Sequence, residues 1–164
     1  MTSDNINLDH EKFLKKSCEL SELGINRGGG PFGCIIIDKN TGEICGKGHN
    51  MVTLLNNPIF HAEIVAIGDA CHNLNNFNLS GCILYTSCEP CPMCLSAIYW
   101  SHIDEVYYGN TAEDAASIGF DDKFIYDEFK KPIEERKIKM TQICKEDALN
   151  AFKLWNEKND KISY

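Results

Sequence analysis

Two short groups of candidate metal ligands, His61-Ala62-Glu63 and Pro90-Cys91-Pro92-Met93-Cys94, most constrain how this chain can fold. A catalytic zinc ion usually takes three protein ligands and keeps a fourth position for water. One imidazole and two thiolates supply that number. If His61, Cys91 and Cys94 bind one ion, segments that are distant in sequence must meet in space.

Both groups stand where helices are predicted to begin, one over residues 61–72 and one over residues 91–100. Thiols in a first helical turn face the positive end of the helix dipole, which lowers their pKa and favours the thiolate that a metal requires. Pro90 and Pro92 suit such a start, because proline is tolerated in the first turn. Cys91 and Cys94 are three positions apart and therefore share one helix face.

Glu63 is predicted to act beside the metal rather than as a fourth ligand. Residues two apart in a helix point in nearly opposite directions, so Glu63 need not share the face of His61. Its carboxylate can then move protons. A metal-activated water would be the nucleophile, and Glu63 would carry protons between this water and the substrate.

Periodicity over the remaining chain predicts further helices and strands around these two starts. The helix-then-strand order that includes both starts predicts helices packed on a largely parallel section of sheet. The other predicted helices are 8–26 and a tail from Asp147, and the predicted strands are 34–37, 43–49, 82–85, 103–108 and 137–144.

Composition indicates one domain over residues 1–164 that acts on a small substrate in the cytoplasm. The net charge of −8 disfavours the phosphate contacts that dominate nucleic-acid binding. No run is long and apolar enough to span a bilayer, and the polar start MTSDNINLDHEKF does not read as a secretory signal. The nine cysteines are odd in number and scattered, which favours reduced thiols over a disulfide framework.

The stretch from Tyr85 to Trp100, YTSCEPCPMCLSAIYW, together with Gly30-Pro31-Phe32-Gly33 and GFDDKFIY at 119–126, resembles the cytidine deaminase superfamily. The H-x-E group at residues 61–63 and the P-C-x-x-C group at residues 90–94 together form the signature of zinc deaminases. Within the superfamily the chain looks like the bacterial-type guanine deaminases. The first stretch is shared in part with tRNA adenosine deaminases, whereas the Gly-Phe-Asp-Asp element and the aromatic-ended tail are similar to guanine deaminases.

This resemblance implies an α/β fold, a three-layer α/β/α sandwich with a five-stranded mixed sheet. It also implies a homodimer whose C-terminal segments help complete the active sites, with one Zn²⁺ per chain. The implied reaction is hydrolytic deamination of guanine to xanthine and ammonia. A tRNA adenosine deaminase, a deaminase of another base, nucleoside or pterin, and a non-catalytic structural zinc module remain alternatives.

The resemblance further implies the residues that contact a purine. Phe32 would pack against the ring, Asn50 would hydrogen-bond to the purine, and Asp122 would read the guanine edge. Ala62 would also belong to the substrate-binding residues, and Tyr164 would form a terminal lid. A carboxylate suits that edge because guanine presents ring and exocyclic N–H donors side by side. The chain departs from the family at Asn57-Pro58-Ile59-Phe60, where the family usually has Asp-Pro-Thr and a small residue.

Simpler interpretations stand beside these assignments. Cys88 and Cys91 also form a C-x-x-C pair, which could be redox-active or, with Cys94, could hold an iron–sulfur cluster. Asp121 and Asp122 could be a solvated turn. The remaining histidines are expected to be structural or exposed, because none has a metal-ligand spacing of its own; they are His10, His49, His72 and His102.

Overall fold

A computed structural model of the chain describes residues 6–164. The helices are α1 (His10–Asn26), α2 (Val52–Leu55), α3 (Ala62–Leu74), α4 (Pro92–Trp100), α5 (Ala112–Ser117), α6 (Lys123–Lys130) and α7 (Lys145–Glu157), and a 3-10 turn covers Ile133–Glu135. The strands are β1 (Gly33–Asp38), β2 (Ile44–His49), β3 (Cys82–Cys88) and β4 (Glu105–Asn110). The chain divides into two compact units, one ending at Asp122 and one spanning Lys123–Tyr164.

The sheet of the first unit has the strand order β2-β1-β3-β4. β1 is antiparallel to β2 and to β3, whereas β3 and β4 are parallel and are joined through α4. The predicted mixed sheet is confirmed, with four strands instead of five. The predicted strand over 137–144 is wrong: this segment has no regular structure. Its backbone groups would need a neighbouring strand, and the described second unit contains only helices.

The apolar run of β1 supplies both faces of the sheet. Cys34 and Ile36 pack in one core and Ile35 and Ile37 in another, as the alternation of side chains along a strand requires. Helices cover both faces, so all four side chains are buried. The three layers are therefore α1, the sheet, and the pair α3 and α4.

Helix α1 is fixed to its face of the sheet by aromatic contacts. The Phe13 and Tyr85 rings lie 5.3 Å apart, and the buried Tyr85 hydroxyl is 2.8 Å from Nδ1 of His10. The helix begins at His10 rather than at the predicted Leu8 because the Asp9 carboxylate caps it, accepting the backbone N–H of Lys12 at 3.0 Å.

Helix α3 lies unusually close to β2 on the opposite face. A Cβ atom at Gly46 would stand 2.4 Å from the carbonyl oxygen of Ala66, and one at Gly48 would stand 2.5 Å from that of Ala62. Both distances are below van der Waals contact, so only glycine allows this approach. Gly48 therefore sets the position of the first turn of α3, and Gly46 sets that of the turns that follow.

The second unit, Lys123–Tyr164, consists of α6, the 3-10 turn and α7. The tail helix predicted from Asp147 begins at Lys145. None of the residues in this unit is buried. Its inclusion with the first unit in one domain over 1–164 stays a prediction. Among the described residues, no helix combines the length and apolar character needed to cross a bilayer.

Candidate metal centre and active site

The first turns of α3 and α4 bring three potential ligands together. His61 is the N-cap of α3, Cys91 is the N-cap of α4, and Cys94 lies in the first turn of α4. Nδ1 of His61 is 3.5 Å from Sγ of Cys91 and 3.6 Å from Sγ of Cys94. All three ligand atoms lie within 4.8 Å of one another. The sequence prediction of a shared site for these residues therefore agrees with the geometry.

These distances fit a tetrahedral zinc ion. Zn–S bonds of about 2.3 Å and Zn–N bonds of about 2.0–2.1 Å place the nitrogen and each sulfur about 3.6 Å apart at two corners of a tetrahedron. The observed Nδ1–Sγ distances of 3.5 and 3.6 Å match that value. Three protein ligands leave one corner for water or substrate, which is the arrangement of catalytic zinc sites.

The interaction between the two thiols shifts their pKa values in opposite directions. The pKa of Cys91 is lowered to about 4, first because Cys94 hydrogen-bonds to it and then because His61 does. The pKa of Cys94 is raised by the bond to Cys91 and by burial. The pKa of His61 is raised chiefly by its bond to Cys91. Binding of a divalent cation would release these protons, because metal ligation requires thiolates and a neutral imidazole.

Glu63 lies in the first turn of α3, beside the ligands and outside their group. The Thr86 hydroxyl donates to Glu63 Oε1 at 3.1 Å, and the Cys94 thiol donates to Oε2 at 3.4 Å. Only 5% of Glu63 is exposed. Burial raises the pKa of its carboxyl, so this group accepts a proton more readily than an exposed glutamate does. A proton carrier therefore lies against the metal-binding group.

Sequence reasoning missed Thr86. Its signal was available in β3, where Cys82, Leu84, Thr86 and Cys88 alternate on one face. Thr86 is the hydroxyl residue in this otherwise apolar or thiol-bearing row. A buried hydroxyl needs a hydrogen-bond partner, so such a position indicates a polar neighbour across the layer.

Cys88 is separate from the ligand group. Its thiol is buried and lies 3.6 Å from the carbonyl oxygen of Thr111. Burial raises its pKa to about 11, which disfavours the thiolate form. The metal-binding group found among residues 6–164 contains His61, Cys91 and Cys94 and omits Cys88. The geometry therefore gives no support to an iron–sulfur cluster or a redox pair that uses Cys88.

Asn50, predicted to contact substrate, is buried directly after β2. Its Oδ1 accepts the backbone N–H groups of Gly30 at 3.3 Å and Val52 at 3.2 Å. Because both partners are donors, the orientation of the amide is settled, and neither bond uses the Nδ2 donor. The Asn50 N–H also donates to the Phe32 carbonyl at 2.9 Å. Asn50 is therefore held against the segment 30–32 that precedes β1.

Phe32 and Asp122, two other predicted substrate residues, belong to segments that meet. The ring of Phe32 packs edge-to-face on Phe120 with a centroid distance of 5.0 Å. Asp122 follows two positions later and is half-buried. Burial raises its pKa, and the nearby Cys91 raises it further, which places this carboxyl in the electrostatic field of the ligand group. A fully solvated turn is therefore not what the structure shows at Asp122.

Ala62 and Tyr164 are the remaining predicted substrate residues, and they differ most in how deeply they are buried. Ala62 is fully buried at the start of α3, where backbone N–H groups have no acceptor within the helix. Tyr164 is the last residue of the second unit and is 73% exposed. Its role as a lid stays a prediction.

The departure from the family pattern before His61 forms an ordered turn. Asn57 Oδ1 accepts the Ile59 N–H at 3.2 Å, and the carbonyl of Phe60 accepts the Met51 N–H at 2.9 Å. Phe60 is half-buried. Among the other histidines, His49 is buried with Nδ1 3.1 Å from the Asn50 carbonyl. That contact is structural, as predicted.

Comparison with known proteins agrees with this geometry. The family described as the cytidine and deoxycytidylate deaminase zinc-binding region matches residues 8–110. Guanine deaminase from Bacillus subtilis is 48% identical over 158 residues, which cover 96% of this chain and 100% of that protein. Its crystal structure superimposes with a TM-score of 0.91 at 47% identity, covering 96% of this chain and 99% of that one.

Two more distant relatives match the chain in part. The structure of guanine deaminase from Nitrosomonas europaea has a TM-score of 0.66 at 32% identity, covering 68% of this chain and 64% of that one. A tRNA-specific adenosine deaminase from Aquifex aeolicus is 42% identical over 98 residues, 60% of this chain and 64% of that protein. With its fold, its ligand group and its family match, the chain belongs to the cytidine and deoxycytidylate deaminase zinc-binding family.

Proposed function

We propose that this protein is a zinc-dependent aminohydrolase that converts guanine to xanthine and ammonia, with one Zn²⁺ per chain. The observation that carries the reaction type is the contact of buried Glu63 with the His61, Cys91 and Cys94 group. The choice of guanine is supported by similarity over nearly the whole chain to a guanine deaminase. The tRNA-specific relative matches 60% of the chain.

The residues of the site divide the chemistry between them. Zinc held by His61, Cys91 and Cys94 would lower the pKa of water and so supply a nucleophile near neutral pH. Glu63 would take a proton from water and deliver it to the ring nitrogen next to the reacting carbon. It would then take the second proton from the hydroxyl group added to that carbon and deliver it to the departing amine, which leaves as ammonia. Burial of Glu63 favours this role because it raises the pKa of the carboxyl towards the working pH.

Guanine recognition is assigned to the segments around the metal group. The Asp122 carboxylate would accept the adjacent ring and exocyclic N–H donors, and the Nδ2 of Asn50 would donate to an acceptor of the purine. Phe32 would pack on the ring, supported by its contact with Phe120. The backbone N–H at Ala62 would donate from the helix start. Tyr164 would close over the substrate.

A homodimer in which the C-terminal segments help complete the sites is part of the same proposal. The second unit exposes large apolar side chains, among them Phe129, Ile138 and Phe152, and buries none of its residues. Apolar surface of this kind is usually covered by a partner. Light scattering on the full chain should give twice the chain mass of 18.5 kDa, and a concentration-independent monomer would contradict the dimer.

The decisive experiment is Glu63→Gln, assayed for ammonia release with guanine, guanosine, other amino-heterocycles and tRNA. The variant should keep its zinc and lose activity by about 1,000-fold or more, because an amide cannot exchange the proton. Glu43→Gln, on an exposed turn, serves as the control with unchanged rate. An unchanged rate in Glu63→Gln would refute the catalytic role of Glu63. If the unmodified protein released ammonia from tRNA alone, guanine would be refuted as its substrate.

A further inference from the structure

Thr86 occupies a position that the metal ligands and substrate residues leave unexplained. It is fully buried on β3, in the row of side chains that faces α3 and α4. Its neighbours in this row, Leu84 and Cys88, are buried without charge. An aliphatic residue would fill such a core position without the cost of burying a hydroxyl. The hydroxyl therefore has a reason other than packing.

The partner of this hydroxyl is Glu63, and the contact fixes the carboxylate in one orientation. Thr86 Oγ1 donates to Oε1 at 3.1 Å, while Oε2 lies on the side of the Cys94 sulfur at 3.4 Å. Threonine is branched at Cβ, so few rotamers are available to it on a strand and the hydroxyl direction is well defined. Without this bond, the glutamate side chain could turn about its terminal torsion, which has a broad energy minimum.

We infer that Thr86 is a positioning residue for Glu63, holding Oε1 so that Oε2 faces the metal-binding group and the reacting atoms. This inference rests on the proposed function, because it assigns the proton transfers to Oε2. The Thr86 hydroxyl hydrogen-bonds to Glu63 and to none of the metal ligands, and in this role it does not bind the substrate. Its effect therefore falls on the rate of the chemical step and leaves metal binding and substrate binding unchanged.

The test compares two variants of Thr86 and one control variant in the full-length, zinc-loaded protein. Thr86→Val removes the hydroxyl and keeps the branched shape, and should lower kcat on guanine by about 10- to 100-fold, the usual range for residues that orient a site. KM and zinc content should stay within about twofold of the unmodified protein. Thr86→Ser keeps the hydroxyl and should restore most of kcat. If Thr86→Val does not fold, Thr86→Ala takes its place in the comparison with Thr86→Ser.

Ser17→Ala is the matched control, because Ser17 is also a fully buried hydroxyl but donates to the Leu14 carbonyl within α1, on the other face of the sheet. It should lower the unfolding temperature without changing kcat. The inference is overturned if Thr86→Val leaves kcat unchanged, if Thr86→Ser is as slow as Thr86→Val, or if zinc and activity fall in parallel.

A double variant shows whether Thr86 acts through Glu63. Glu63→Asp shortens the side chain and should break the bond, so adding Thr86→Val to it should slow the enzyme no further. Losses that multiply in the double variant would contradict the inference. Failure of the proposed function is visible separately, because the unmodified protein would then release no ammonia from guanine; the same variants would be measured on the compound from the panel that it does deaminate.

Discussion

His61, Cys91 and Cys94 stand on the first turns of two helices, whereas Phe32, Asn50 and Asp122 stand on segments that connect elements. The first group is held by helix starts and a buried core, and Cys94 is fully buried. The second group depends on loop hydrogen bonds and on the contact with Phe120, which is 48% exposed. The difference teaches that the fold fixes the reaction more firmly than it fixes the substrate.

Removal of one metal ligand should have the largest effect. In Cys94→Ser, zinc content should fall close to zero and ammonia release by about 1,000-fold or more, because a hydroxyl is a far weaker zinc ligand than a thiolate. Elemental analysis and the ammonia assay measure both losses. Cys88→Ser is the matched control, since Cys88 is a buried thiol outside the ligand group. Equal zinc loss in that control would bring Cys88 into the site.

Neutralising Asp122 should affect substrate and leave the metal in place. In Asp122→Asn, kcat/KM for guanine should fall about 100-fold, because an amide cannot accept two N–H donors side by side with the strength of a carboxylate. Zinc content should not change. Asp121→Asn, at the adjacent position, should stay within about threefold of the unmodified protein. Parallel loss of zinc and activity in Asp122→Asn would remove the distinction between the two parts of the site.

The decrease of kcat/KM at low pH should also depend on Asp122. Burial raises the pKa of this carboxyl, so ionisation requires a higher pH than for an ordinary aspartate. Since guanine binding needs the carboxylate, kcat/KM should decrease as pH falls through the raised pKa, approaching tenfold per pH unit below it. Profiles of the unmodified protein and of Asp122→Asn, recorded from about pH 4 to 8, should differ by this component. Superimposable profile shapes would show that Asp122 does not titrate in the binding step.

The smallest expected effect is at the ring contact. In Phe32→Leu, KM for guanine should rise about five- to tenfold with kcat unchanged, which corresponds to about 1 kcal/mol for the loss of an aromatic contact. Phe13→Leu removes a similar ring on the opposite face of the sheet, where Phe13 packs on Tyr85. It should lower the unfolding temperature and leave KM unchanged. A larger fall in kcat than rise in KM for Phe32→Leu would place Phe32 in the chemical step.

The metal-binding half was accessible from sequence because its information is local. Ligand type, proline placement and helix periodicity all lie within a few positions of His61 and Cys91, and they indicated both helix starts. The distances to Cys94 then follow from packing two helices on one sheet face. The strand at residues 34–37 was equally accessible from sequence, because a strand buried on both faces must be apolar throughout.

The remaining features depend on contacts between distant residues. No local pattern links Thr86 to Glu63 or Phe120 to Phe32, since each pair forms only when separate elements pack. The alternation of apolar residues over 137–144 resembled a strand, but strand formation requires a partner that the sequence pattern does not reveal. The substrate residues were named by family resemblance for the same reason.

The two glycines of β2 have a consequence for how this chain can change over generations. Gly46 and Gly48 lie against the backbone of α3, where even one methyl group would displace the helix whose N-cap is His61. Mutational tolerance there is close to nil, although neither residue contacts the ligands. At Gly119, beside Phe120, a Cβ would meet nothing within 4 Å, but the backbone φ of +95° still favours glycine. Changes of substrate are therefore more accessible through side chains of the loop, such as Phe120 and Asp122, than through β2.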